Sequence, residues 1–262
     1  MSGRSDHDHL VGQREPTTES TADASSSAHA PAVEGPAVRI GAVAAITGGT
    51  LIVGGNIVHP RESGQLDDAE TLLEVVAGSG VWVADHVLIM VAITLLLGAF
   101  YGLTHSITAE PGTTWARLGW GVAIVGVGLG VAFMATEAVA LPEVASTWAA
   151  SSGTEKDLAL ATGTTIFQLS LTLSAGAALF LFGIGPVLYG VALLGSCSYP
   201  SWLGWVGVIF GSLGTIAGIV QLLAGVTTLT GLVLVPISIV ATTLWIIYLG
   251  VLMWRRSAVG QR

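Results

Sequence analysis

Six residues of this 262-residue chain stand where they could do chemistry: His59, Asp85, His86, Glu137, Gln168 and Gln221. Each lies within or at the edge of a long apolar run, where an ionisable or amide side chain is costly and is a functional candidate by default. Asn56 and His59 close the first run, Asp85 and His86 open the second, Glu137 ends the third, Gln168 begins the fourth and Gln221 ends the fifth. Counted along helices, all fall in one layer roughly 6 Å inside one membrane boundary. Asp85 and Glu137 are the charged members of the expected cluster, with Gln168 and Gln221 as their hydrogen-bonding partners. Two carboxylates brought close in low dielectric would share a proton, so the layer suits a cation, a proton or a small polar solute. The same groups could instead join neighbouring helices, at under about 2 kcal/mol per contact.

Catalytic chemistry finds no matching pattern. His59, Asp85, His86 and Glu137 are zinc-ligand types, but no HExxH relates them. Adjacent Asp85 and His86 are expected to point about 100° apart on a helix, which opposes both facing one ion. GxSG is absent and the sixth run holds no histidine, which argues against rhomboid-like proteolysis. His59 and His86 are the one pair that could share a depth for haem, with no second motif beside them. No catalytic residue, metal site or cofactor is assigned. His105, and His7 with His9 in a DHDH stretch, read as solvated residues.

The elements that must hold these groups are membrane helices. Of the residues, 52% are hydrophobic and only 10% charged, and the charges lie almost wholly outside the apolar runs. The predicted fold is all-α: an integral membrane bundle of six transmembrane helices behind a disordered, acidic tail over residues 1–37. The spans fall at about 38–59, 81–103, 118–141, 164–194, 202–225 and 229–254, within a domain of 38–256, with 257–262 as a terminal end. No apolar core occupies the first 30 or so residues, so the first span is expected to stay as an anchor. Leu72, Leu73, Val75 and Val76 predict a short helix on the membrane surface between the first two spans. Thr154 followed by Asp157 predicts a cap, so the fourth helix begins about ten residues before its span.

Nine basic against 17 acidic residues, with Lys156 the only lysine, exclude a nucleic-acid partner and resemble the composition of salt-loving microbes. The single cysteine, Cys197, excludes an internal disulfide. The few basic residues favour one orientation: Arg39, Arg117, Arg255, Arg256 and Arg262 on the cytoplasmic side, Arg61 and Lys156 outside. Both termini are then cytoplasmic in a multi-pass protein of the cell membrane. Trp115, Trp120, Tyr199, Trp202 and Trp205 are expected at one interface, Trp82 and Trp148 at the other.

Between 201 and 225, Gly204, Gly207, Gly211, Gly214, Gly218, Gln221 and Gly225 follow one another at alternating steps of three and four, one side-chain-free line down a helix. In lipid, where burial gives apolar helices no reason to associate, such a groove admits a neighbour's backbone. Gly119, Ala123, Gly126 and Gly130 make a similar line leading to Glu137. Tyr101-Gly102 with Leu118-Gly119-Trp120 is echoed by Tyr189-Gly190 with Leu203-Gly204-Trp205, so two hairpins of one design are predicted.

The stretch PSWLGWVGVIFGSLGTIAG, preceded by GPVLYGVALL, resembles a broad family of uncharacterised prokaryotic multi-pass membrane proteins. The resemblance covers mainly residues 164–225 and implies a helical bundle, with no activity or functional residue to carry over. The sequence thus predicts a non-enzymatic structural or accessory membrane component in contact with the lipid bilayer. The alternative is a protein that binds or moves a small solute, cation or proton through its polar layer.

Overall fold

The computed structural model describes residues 35–59 and 68–259. The predicted tail lies, up to residue 34, outside them. Helices α1 (Pro36–Val58), α2 (Ala69–Gly78), α3 (Trp82–Ser106), α4 (Gly112–Ala150), α5 (Thr154–Leu194) and α6 (Ser201–Ala224) precede α7, which opens with a wide turn at Thr230–Leu234 and continues through Val235–Val259. All but α2 are long and apolar enough to cross a membrane, and no strand occurs among the described residues. The chain is a six-span helical membrane protein. Large apolar side chains such as Ile40, Leu118, Leu223 and Leu244 face outward, as contact with lipid requires.

Three helices contain a π-helical turn, at Thr136–Ala140, Phe180–Ile184 and Thr230–Leu234. Each is followed, two residues on, by a proline: Pro142, Pro186 and Pro236. Proline has no N–H and its ring crowds the carbonyl four residues back, so the ladder locally widens to bonds spanning five residues. Leu141 N–H accordingly donates to Thr136 O, and Gly185 N–H to Phe180 O. The helices widen but do not stop. The third helix therefore runs past the predicted end of its span, through Pro142 to Ala150.

With 39 and 41 residues, α4 and α5 far exceed what a hydrocarbon core of about 30 Å requires, so their joined ends project from it. The projection explains α2. Expected on the membrane surface, α2 instead buries Leu72, Leu73 and Val76 against Leu141, Trp148 and Phe167 of the α4–α5 hairpin. Gly163 permits the approach, since a Cβ there would lie 2.8 Å from a Leu73 methyl. Asp68 caps α2 by accepting the Glu70 and Thr71 amides. Trp82 and Trp148 belong to this buried layer and are not interfacial as predicted, because the projection covers them. Tyr199 is likewise buried, whereas Trp115, Trp202 and Trp205 stay exposed. The fourth helix does start at Thr154, but Gly153 is its cap residue, at φ 58°, and no side chain caps it.

Both small-residue lines face α5. Along α4, Gly119 meets the Tyr189 ring and Gly126 meets the backbone of Leu181. Along α6, Gly207, Gly211 and Gly218 meet Pro186, Gly183 and Leu179. At 100° per residue these contacts fall on two different faces of α5, and with both covered α5 is the most enclosed span. The predicted pair of like hairpins is thus packed unequally: α6 folds back onto its own partner α5, while the α4 line meets α5 at Gly119 and Gly126 and α3 at Gly130, against Ile93. Helix α3 instead meets α1, with Gly41 and Gly102 backbone to backbone. The spans close into a ring in which α1, α3, α4, α5 and α7 surround the centre, and α6 fills the outer groove between α5 and α7.

Candidate functional site

The ring is closed at one end and hollow at the other. Away from α2, Leu96, Phe100, Leu103, Tyr189 and Leu249 are buried in a core that leaves a gap of only about 10 Å³, and Phe100 stacks on Tyr189 with centroids 5.0 Å apart. Tyr189 and the Thr104 hydroxyl stand 2.7 Å apart, which ties α5 to α3. Toward α2 the helices diverge around a chamber of about 260 Å³. Its walls are apolar, with Ile52, Ile89, Phe133, Phe167, Phe182 and Ile239 among them. Its polar groups are Asn56, His59, His86, Glu137 and Ser174. The first two π turns border it through Glu137 and Phe182, and Val235 lines it just after the third. Wide turns of this kind concentrate at functional sites because they re-aim one side chain without ending the helix.

Three of the six sequence-predicted residues, His59, His86 and Glu137, line this chamber, and a fourth, Asp85, stands behind it against His59. His59, at the end of α1, sets Nδ1 2.7 Å from Asp85 Oδ2 on α3. His86 Nδ1 donates to the Trp82 carbonyl at 2.8 Å, and its Nε2 lies 4.0 Å from Glu137 Oε2 on α4. The two imidazoles touch edge to face, centroids 5.0 Å apart. That contact leaves no room for a porphyrin between them, so they are not a haem pair. Asp85 and His86 are 4% and 2% exposed. The two neighbours take different directions, Asp85 toward His59 on α1 and His86 toward the chamber and Glu137 on α4, yet one ligand atom from each still lies within 4.8 Å of the other.

Trp82 is the residue that sequence reasoning missed. In the π register, the carbonyl of Glu137 faces Pro142, which has no N–H to offer; the Trp82 indole N–H takes that carbonyl at 2.8 Å. The same indole stacks on His86 at 4.5 Å, and the Trp82 carbonyl fixes which His86 nitrogen carries the proton. The signal lay in its position four residues before His86, on the same helix face.

The two amides fall elsewhere. Gln168 is exposed on the outer face of α5, because the adjacent Phe167 takes the inward direction. Gln221 is buried on the α6 line, and its Oε1 accepts no hydrogen bond from the described residues. It does not line the chamber, since α5 stands between the α4 and α6 lines. Asp85 Oδ1 is a second buried oxygen with no such donor.

Comparisons with protein-family models, with curated proteins and with solved structures find no match.

Proposed function

We propose that this membrane protein binds a small ligand, a cation or small polar solute, in the chamber at the α2 end of its bundle. The observation that carries this reading is the chamber itself, a space of about 260 Å³ beside a partly buried His–Asp pair and a glutamate. A purely structural or accessory component needs hydrogen bonds between helices, and the His59–Asp85 contact would serve that need. It has no use for a space beside them, because a cavity forfeits packing contacts on every side. Its apolar walls with a few convergent polar groups are the usual make-up of a small-molecule site. The WLGW stretch belongs to α6, outside the chamber, and its family resemblance brings no activity to this reading.

Purified protein in detergent, screened for thermal stabilisation by monovalent cations, divalent cations and small polar solutes, tests the proposal. At least one class is expected to raise the melting temperature of wild type and to do so far less in Ser174→Phe, which fills the chamber. A screen in which no class shifts the wild type, or in which every shift persists in Ser174→Phe, overturns it.

A further inference from the structure

The polar end of the chamber has a donor set more specific than general ligand binding demands. We infer that His59, Asp85 and His86 form a site for one divalent transition-metal ion of the zinc class. The inference rests on the chamber being a ligand site and names what is held at its polar end.

Three ligand atoms, one from each residue, all lie within 4.8 Å of one another. Around a tetrahedral ion with bonds of about 2.0–2.2 Å, ligand atoms stand roughly 3.4 Å apart, so small side-chain rotations complete the set. His86 is already oriented for the task. Its Nδ1–H is held by the Trp82 carbonyl, which leaves the lone pair on Nε2, and metal-bound histidines are fixed by this kind of outer hydrogen bond. The ring cannot swing away, because Trp82 stacks on it and is itself anchored through its indole N–H to the Glu137 carbonyl.

Asp85 supplies the second, independent sign. One of its oxygens meets His59, while Oδ1 is buried and accepts no hydrogen bond from the described residues. A carboxylate oxygen removed from water keeps its lone pairs only at a cost, and a cation satisfies them. His59, with its side chain 35% exposed, forms the edge from which an ion can enter. Two imidazole nitrogens and one carboxylate oxygen suit zinc or cobalt(II); magnesium and calcium prefer oxygen alone. Three protein ligands would leave a coordination position for water or solute, and the Glu137 carboxylate lies 4.0 Å from His86 Nε2.

The test is titration of the chelator-stripped, full-length protein in detergent with cobalt(II), whose visible absorption reports ligand geometry, followed by displacement with zinc. One equivalent per chain is expected, with the bands of a four-coordinate nitrogen and oxygen site and no competition from magnesium. Binding should weaken by about 100-fold or more in Asp85→Asn, His59→Gln and His86→Gln. It should be unchanged in Gln221→Ala and in a His7→Ala, His9→Ala double variant, which removes the other histidine cluster in the chain. His59→Gln alters a partly exposed ring at a helix end, so it reports on the site even where the buried variants unfold. Absence of a stoichiometric site, equal binding in His59→Gln, or loss of binding with His7 and His9 overturns the inference. If solutes still shift wild type but not Ser174→Phe while cobalt does not bind, the metal site fails and the chamber reading stands; if neither acts, both fail.

Discussion

Single side chains in this bundle act by filling bonds that the backbone leaves open. Trp82 does so for Glu137, and Ser238 donates at 3.2 Å to the Phe182 carbonyl, which lies four residues before Pro186. Tyr199, in the loop joining α5 to α6, meets another side chain instead, the Ser106 hydroxyl of α3. Burial pushes its phenol above the ordinary value, partly offset by the Ser106 hydroxyl at 2.6 Å and by the Arg256 guanidinium over its ring. A raised folded-state value means that the folded protein keeps a proton the unfolded chain gives up. The contribution is complete below about pH 10 and is lost as pH rises from there through the raised value. Thermal unfolding in detergent across this alkaline range should therefore fall more steeply for wild type than for Tyr199→Phe.

At the scale of elements, association depends on backbone reaching backbone. A Cβ at Gly211 would lie 2.8 Å from the Gly183 carbonyl on α5, whereas one at Gly121 would meet nothing within 4 Å. Gly211→Ala should thus force α5 and α6 apart and lower stability by about 1–3 kcal/mol. Gly121→Ala should be neutral or raise stability by up to about 1 kcal/mol, because it removes only a helix-weakening residue. Unfolding of both variants under identical detergent conditions checks the contrast. The π turns work at the same scale: by widening α4, α5 and α7 at neighbouring levels they shape one end of the ring around the chamber.

For the whole molecule, an even number of spans puts the two termini on the same side. The α5–α6 loop, which carries the exposed Cys197, shares that side, and the α4–α5 projection lies on the other. The distribution of arginines predicts cytoplasmic termini, an expectation that labelling can test. A membrane-impermeant thiol reagent added to intact cells should then leave Cys197 unmodified and react with it only after permeabilisation. In a Cys197→Ser background, Ser152→Cys should react in intact cells. The reverse pattern would invert the orientation and turn the chamber toward the cytoplasm.

The six helices were legible in the sequence because lipid forces every spanning segment to be apolar and helical, and that constraint acts on each segment alone. The glycine lines were legible for the same reason, since spacing along one helix defines a face without reference to any neighbour. Which helix would fill each groove was not, because two similar grooves leave the choice to the packing of the whole ring, and α5 occupies both. Glu137, His59, Asp85 and His86 could be singled out by their cost in lipid, but their meeting depended on α1 and α4 flanking α3. Gln168 and Gln221 carried the same local signal and were separated from the others by α5. Polarity within a helix is a property of sequence, whereas the direction a side chain finds open is decided only when the neighbouring helices are in place.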